Sequence, residues 1–297
     1  MSIKMRFVRD YPAFMKNNYS DKYPLFVESR RRERQESSFP AKKKAFGQHF
    51  LRKQSVVDHM IAKVEVTPQT SVLEIGCGDG FLTQAVLAQT PCKQLWSYEI
   101  DPEWAAVVQK KITDSRLTIK QQDILTIDMH ELVAHKPWVI LANLPYQITF
   151  PILFLIQKHK DLFTEGVVMV QEEVAQKVVA SSGRGYGPTS LVLQRHFTWE
   201  LLEKIEPAAF EPAPKIYSRL LYFKPVHNLA RIKNEDKFWA FIRSCFKHPR
   251  QTLRNNLKSL YRAHMEKIPS EILNLRAQQM TFEHFLSLWT EICSSEE

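Results

Sequence analysis

Three short stretches hold residue types that could do chemistry together. The first, "LEIGCGDGFL" over residues 73–82, places Gly76, Gly78 and Gly80 at a strand-to-helix junction. A backbone without Cβ atoms can turn tightly there and come close to a ligand. The second is a pair of acids, each ending a strand. Glu99 stands 19 residues after Gly80, where a carboxylate can accept both hydroxyls of a ribose, and Asp123 in "QQDIL" can contact an adenine edge. The third is "NLPY" at Asn143–Tyr146, an amide, a proline and an aromatic that close an apolar run. Each has a plainer alternative taken singly: a turn for the glycines and for Asn-Leu-Pro-Tyr, a solvated strand end for Glu99, a cap for Asp123. Their order along alternating strands and helices argues for one site.

The elements that must position them follow from hydrophobic periodicity. Val56, Val57, Met60, Ile61 and Val64 share one face of a helix over 54–64. Strands are then predicted at 71–75, 94–100, 117–121, 138–142 and 166–171. Helices alternate with them at 81–89, 102–112 (Pro102 in its first turn), 151–159 and 172–180. Two more strand-like runs, "FTWELLEKI" and "YSRLLYF", flank the proline-rich "PAAFEPAPK". This alternation predicts an α/β fold, a mostly parallel sheet with helices on both faces. After Pro225 the strands stop, and "DKFWAFIRSCF", "RQTLRNNLKSLY" and "FEHFLSLWTEI" read as helices of a small second domain. The resulting division is a basic extension over 1–45, a main domain over 46–224 and a helical domain over 225–297.

Composition narrows the class further. Of 297 residues, 44% are hydrophobic and 25% charged, as in ordinary soluble proteins. Apolar runs such as Phe150–Ile156 fall well short of the roughly 20 residues that span a bilayer, and the N-terminus has no apolar secretory segment. Cys77, Cys92, Cys245 and Cys293 form no C-x-x-C pair, which argues against a zinc site or disulfide framework and fits a reducing cytoplasm. The net charge of +9 sits on the flanks. Residues 1–46 carry 12 Lys/Arg against 5 Asp/Glu, and 225–297 carry 11 against 8. A near-neutral body with basic ends suits a polyanion partner. A solvated charged tail is the plainer reading. The acids at 10, 21, 28, 33 and 36 speak against a mitochondrial presequence.

The glycine spacing does not fit the G-x-G-x-x-G of dinucleotide folds, and no Lys follows to make a phosphate loop. E-x-G-x-G-x-G with acids ending the next two strands resembles the S-adenosylmethionine-dependent methyltransferases, whose donor has no phosphates. Beside such a donor, Asn143 Oδ1 and the Leu144 carbonyl can accept the two N–H bonds of an adenine amine and draw its nitrogen into a reactive geometry. Pro145 stiffens the loop and withholds a competing donor. Tyr146 can stack on the base, worth roughly 1–3 kcal/mol. A base reached in this way is single-stranded or flipped from its helix.

At the level of whole motifs the resemblance is specific. "FGQHFL", "LEIGCGDGFLT", "YEID", "QQD", "NLPYQIT", "MVQEEVAQKVVA", "YGPTSLVLQ", "AFEPAPKIYS" and "RQTLRNNL" stand in an order that resembles the ribosomal RNA adenine dimethyltransferases of the small-subunit KsgA type, from about Phe46 to Leu257. That resemblance implies a Rossmann-like class I S-adenosylmethionine-dependent methyltransferase sheet with a small C-terminal helical domain. It implies transfer of two methyls to each of two adjacent adenosines near the 3′ end of 16S ribosomal RNA, without a metal. The setting it implies is a cytoplasmic monomer acting on the assembling small ribosomal subunit. The family's cofactor positions fall on His49, Leu51, Gly76, Glu99, Asp123 and Asn143. Its target-adenine positions fall on Asn143, Leu144, Pro145 and Tyr146, with Phe210 as a second stacking wall; Phe210 reads equally well as a core aromatic.

The chain departs from the family at several places. Gln147 stands where Asn is common, "IYSRL" replaces a smaller and more apolar strand, and His248-Pro249 replace residues that are commonly basic. The long N-terminal extension is unusual. Competing readings are the large-subunit enzymes of macrolide resistance, where N-I-P-Y is commoner, and DNA adenine methyltransferases, which usually have a second Pro at position 144. A non-catalytic RNA-binding assembly factor is a third, and intact Glu99, Asp123 and Asn143 argue against it. Deleting residues 1–41 is expected to weaken RNA binding and flatten its salt dependence; titrations that kept the same slope would make the extension a bystander.

Overall fold

The computed structural model describes residues 49–259 and 261–293. The basic extension, and residues 46–48 of "FGQHFL", lie outside the described residues. Two compact units emerge, one running through Val179 and resuming over Val192–Leu229, the other made of Ala180–Leu191 and the residues from Ala230 onward.

The first unit is built on strand β5 (Trp138–Asn143). Trp138 to Ala142 are wholly buried, which an apolar run covered on both faces requires. On one side lie β2 (Ser71–Ile75), β3 (Gln94–Glu99) and β4 (Leu117–Gln121), all parallel to it. On the other side β6 (Phe163–Gln171) continues the parallel set, and β9 (Ser218–Pro225) and β7 (Phe197–Ile205) add an antiparallel edge. The sheet order is β4-β3-β2-β5-β6-β9-β7. The order in which successive strands are added reverses between β2 and β5, the switch point where ligands of such sheets lie beyond the carboxyl ends of the strands.

Helices α1 (Gln54–Ala62), α2 (Phe81–Gln89), α3 (Pro102–Lys111), α4 (Thr149–Lys158) and α5 (Glu172–Val179) fall within two residues of the predicted spans. Asp101 caps α3 by accepting from the Glu103 N–H at 3.1 Å, and Pro102 opens it. Helix α6 (Pro188–His196) is not legible from periodicity, because the polar residues of "PTSLVLQRH" break any apolar stripe. A two-stranded sheet was also not foreseen: β1 (Phe50–Leu51) pairs antiparallel with β8 (Phe210–Glu211). Strands this short carry no period.

The second unit contains α7 (Glu235–Cys245), α8 (Leu253–Leu257), α9 (Ser270–Asn274) and α10 (Phe282–Cys293). Phe238 and Phe241 meet Trp289 at ring-centroid distances of 6.1 and 5.6 Å, and the indole donates to the Lys233 carbonyl. The predicted helix over 250–261 contracts to α8. Asn256 accounts for this: buried, it accepts from the His248 N–H at 2.9 Å and donates back to the His248 carbonyl. The residues before α8 are thereby folded into a turn.

Gly166 shows how closely the sheet is packed. A Cβ there would lie 2.7 Å from two atoms of the Phe223 ring and 2.9 Å from Ile140 Cβ. Gly166→Ala is expected to destabilise the fold by about 1–3 kcal/mol through overpacking, read as a lower denaturation midpoint.

Candidate active site

The end of β5 is set by backbone pairing. Asn143 sits opposite Met169 of β6, and the next N–H, that of Leu144, donates to the Met169 carbonyl at 3.1 Å. This seats the Leu144 side chain in the core at 1% exposure. Pro145 then turns the chain into a single 3-10 turn over Tyr146–Ile148 that leads into α4. The Pro145 carbonyl accepts from the Ile148 N–H at 3.1 Å and from the Thr149 hydroxyl at 3.2 Å. The Leu144 carbonyl, by contrast, receives no donor among the described residues. Gln147, in the middle of that turn, is exposed, and its side chain makes no hydrogen bond among the described residues.

The Asn143 amide is oriented from outside its own loop. Its Nδ2 donates to the His49 carbonyl at 3.1 Å, which turns Oδ1 the other way, without a donor among the described residues. His49 also donates from Nδ1 to the Pro212 carbonyl at 2.7 Å, and its ring stacks on Tyr146 at 5.6 Å and 26°. The Tyr146 hydroxyl meets Ser218 Oγ at 2.7 Å. Burial raises the Tyr146 pKa, with the Ser218 contact opposing it, so the phenol stays neutral.

The glycine loop leaves β2 beside this turn. Gly76, Gly78 and Gly80 all adopt positive φ. At Gly78 two constraints coincide, since an added Cβ would also stand 2.6 Å from the Phe50 ring. Glu99 is 6% exposed. Its Oε2 accepts from the Gly78 N–H at 3.1 Å and its Oε1 from the Asp101 N–H at 2.9 Å. Burial raises its pKa, and those two N–H groups partly offset the rise. Asp123 Oδ1 accepts from the Leu125 N–H at 2.9 Å, the cap of its plainer reading, while the residue also lines the cavity.

One cavity brings most of the expected residues together. His49, Gly76, Glu99, Asp123, Asn143, Leu144, Pro145 and Tyr146 all line it. Leu51 lines a smaller neighbouring cavity that shares Gly76, Gly78 and Asn143 with the first. Phe210, expected as a second stacking wall, lines neither. It pairs with Leu51 across β1 and β8 and is 4% exposed in the apolar core, because its strand faces inward.

Glu74, the acid that opens the E-x-G-x-G-x-G run, has no role of its own in the sequence reading, yet it stands at the site. It is wholly buried, accepts from the Thr83 hydroxyl at 2.7 Å through Oε2 and lines the smaller cavity. Its Oε1 finds no hydrogen-bond partner among the described residues. Ser97 Oγ, close enough to temper the carboxyl's pKa, also makes no hydrogen bond of good geometry. Burial pushes the Glu74 pKa up to about 7. The available signal was a lone acid inside the apolar strand "SVLEI", since unpaired buried carboxylates are rare.

A switch-point cavity between a glycine loop and strand-end acids, on this sheet, defines the class of the molecule as a Rossmann-like methyltransferase. The sequence profile of the family described as ribosomal RNA adenine dimethylase matches residues 40–292. The chain belongs to that family. A ribosomal RNA small subunit methyltransferase A from Chlorobium phaeobacteroides is 30% identical over 253 residues, covering 85% of this chain and 91% of that protein. The protein of the same name from Syntrophotalea carbinolica is 37% identical over 218 residues, covering 72% and 81%. Among solved structures, a dimethyladenosine transferase from Plasmodium falciparum matches with TM-score 0.71 at 22% identity, over 84% of this chain and 98% of that one. The 23S rRNA methyltransferase ErmE matches at 0.63 and 22%, over 82% and 99%. At that identity the two structures speak for the fold.

Glu74 predicts a pH effect on stability. Its folded pKa lies above the ordinary carboxylate value, so the folded chain binds more protons than the unfolded chain between about pH 4.5 and 7. Its contribution therefore falls as pH rises through that window. Thermal midpoints of Glu74→Gln should lose this part of the decline, and parallel profiles for the two proteins would refute the assignment.

Proposed function

We propose that this chain transfers methyl groups from S-adenosylmethionine to the N6 amines of two adjacent adenosines near the 3′ end of small-subunit ribosomal RNA, during assembly of the small subunit in the cytoplasm. The observation that carries the reading is the pair of acceptors at the end of β5. Asn143 Oδ1 and the Leu144 carbonyl have no donors among the described residues, and they share a cavity with the Tyr146 ring. The names borne by relatives at 30% and 37% identity support the small-subunit assignment.

The residues present fit the methyl donor. Glu74 Oε1, without a hydrogen-bond partner among the described residues and bordering the smaller cavity, is an acceptor suited to an ammonium group. Each Glu99 oxygen accepts one N–H donor and keeps capacity for a ribose hydroxyl. Asp123 Oδ2 is left for an exocyclic amine, while Gly76 and Gly78 keep side chains out of the way, and His49 and Leu51 border the two cavities. When bound, S-adenosylmethionine supplies an electrophilic methyl carbon.

On the RNA side, Asn143 Oδ1 and the Leu144 carbonyl accept the two N–H bonds of the target amine, whose lone pair is otherwise delocalised into the ring. Fixing both hydrogens turns the nitrogen lone pair out of that conjugation. The amine becomes cationic as its new bond to the methyl carbon forms and the donor's carbon–sulfur bond would break to leave a neutral thioether; the proton, held by Oδ1, is then acidic enough to be lost to solvent without a strong base. Tyr146 presents the ring on which the base stacks, and the His49 ring now beside it lies where the base must be admitted. In this reading the extension over 1–45 and the helical domain over 225–297 add RNA affinity to the catalytic domain over 46–224. Lys247, Arg250, Arg254 and Lys258 are exposed in the helical part.

Asn143→Ala is expected to lower turnover by at least about a hundredfold while RNA affinity stays nearly unchanged; full activity would remove Asn143 from the mechanism. Incubation with labelled S-adenosylmethionine and either unmethylated small subunits or bare large-subunit RNA, followed by mass mapping, tests the substrate. Dimethylation of adjacent adenosines in the small subunit is the expected result, and label confined to large-subunit RNA would overturn the assignment.

A further inference from the structure

Among the described residues, four large apolar side chains stand exposed, and two of them are neighbours: Ile216 at 43% and Tyr217 at 48%. They open the "IYSRL" stretch. Their backbone is firmly held. The Tyr217 carbonyl accepts from the Glu172 N–H at 3.0 Å, Ser218 pairs with Gln171, and Arg219 clasps the Glu172 carboxylate at 2.7 and 2.9 Å. Ser218, the next residue, is the one whose hydroxyl meets Tyr146. Side chains alternate along a strand, so the Tyr217 ring takes the face of Lys204 and Arg219 and not that of Ser218, while its backbone sits beside the end of β6, at the same carboxyl edge of the sheet as Asn143.

The surroundings favour a nucleic acid over a protein surface. Lys204 Nζ lies 4.3 Å from the centroid of the Tyr217 ring, and both Lys204 and Lys215 are exposed. Lys204 covers one face of the ring and leaves the other for a base, an aromatic–cation pairing of the kind that holds single-stranded nucleic acid, with the cations offsetting phosphate charge. Two apolar residues among lysines make a poor hydrophobic patch for a protein partner.

We propose that Tyr217, with Ile216 and Lys204 around it, is a stacking platform for the unpaired nucleobase adjacent to the adenosine taken up at Asn143–Tyr146. The proposal rests on the reading of that cavity as an RNA adenosine site. It makes Tyr217 a specificity residue for single-stranded context and not a catalytic one.

The test is equilibrium binding of the full chain to a single-stranded oligoribonucleotide with two adjacent adenosines and 2-aminopurine on either side of them. Fluorescence should be quenched by the wild type and by Tyr217→Phe. It should recover with Tyr217→Ala, whose affinity should fall about fivefold or more while its thermal midpoint is unchanged. An abasic flanking position should weaken the wild type by a similar factor and leave Tyr217→Ala unaffected. Quenching that persists in Tyr217→Ala would overturn the proposal. Equal losses on intact and abasic RNA would overturn it too and point to a protein-facing surface. The readout needs no turnover, so failure of the methyl-transfer reading would show separately, as no methyl incorporation into the same RNA.

Discussion

Strand β5 has water on neither face, and that constraint governs the rest of the first unit. A strand so placed must pair on both edges, here with β2 and β6, and its backbone can find relief only at its end. Because the order of parallel strands reverses between β2 and β5, the ends of these two strands open onto the same crevice. The glycine loop and Asn143 therefore meet although 60-odd residues separate them. Past the last pairing, the chain exposes one amide and one carbonyl whose partners come from elsewhere or are left open.

How each polar group in that crevice is satisfied determines what it can do. Asn143 has its nitrogen held by the His49 carbonyl and its oxygen free among the described residues. Glu99 is held by two backbone N–H groups, enough to tolerate burial while keeping capacity to accept more. Among the described residues Glu74 accepts a hydrogen bond of good geometry only from the Thr83 hydroxyl, on one oxygen, and burial raises its pKa further than that contact lowers it. The unevenness is chemically useful. A group fully satisfied by the protein has nothing left for a ligand.

The small β1–β8 sheet shows how a minor element can matter more than a long one. It brings His49 to the crevice, sets Phe50 over Gly78, and carries Phe210 into the core and away from the cavity. Arg52 reinforces it, meeting Asp79 of the glycine loop at 2.6 Å while its N–H donates to the Ala209 carbonyl. Residues far apart in the chain thus act on one loop from opposite sides. Removing this short pairing would leave Asn143 without its orienting partner.

Much of this was legible in the residues themselves. Alternating runs of strand and helix period located β2 to β7 within three residues at their ends, since burial of a repeating face leaves its period in the chain. The glycine loop, Glu99, Asp123 and "NLPY" were legible because each combines an unusual residue type with a fixed place at a strand end. Sequence alone thus determined a mostly parallel sheet and the chemistry available at its strand ends, while the strand order and its switch point came only with the folded sheet. Tertiary structure alone decided that the His49 carbonyl orients Asn143, that one Glu74 oxygen has no partner among the described residues, and that Phe210 turns inward. These outcomes depend on which groups meet across long stretches of chain, in hydrogen bonds and packing that leave no periodic trace.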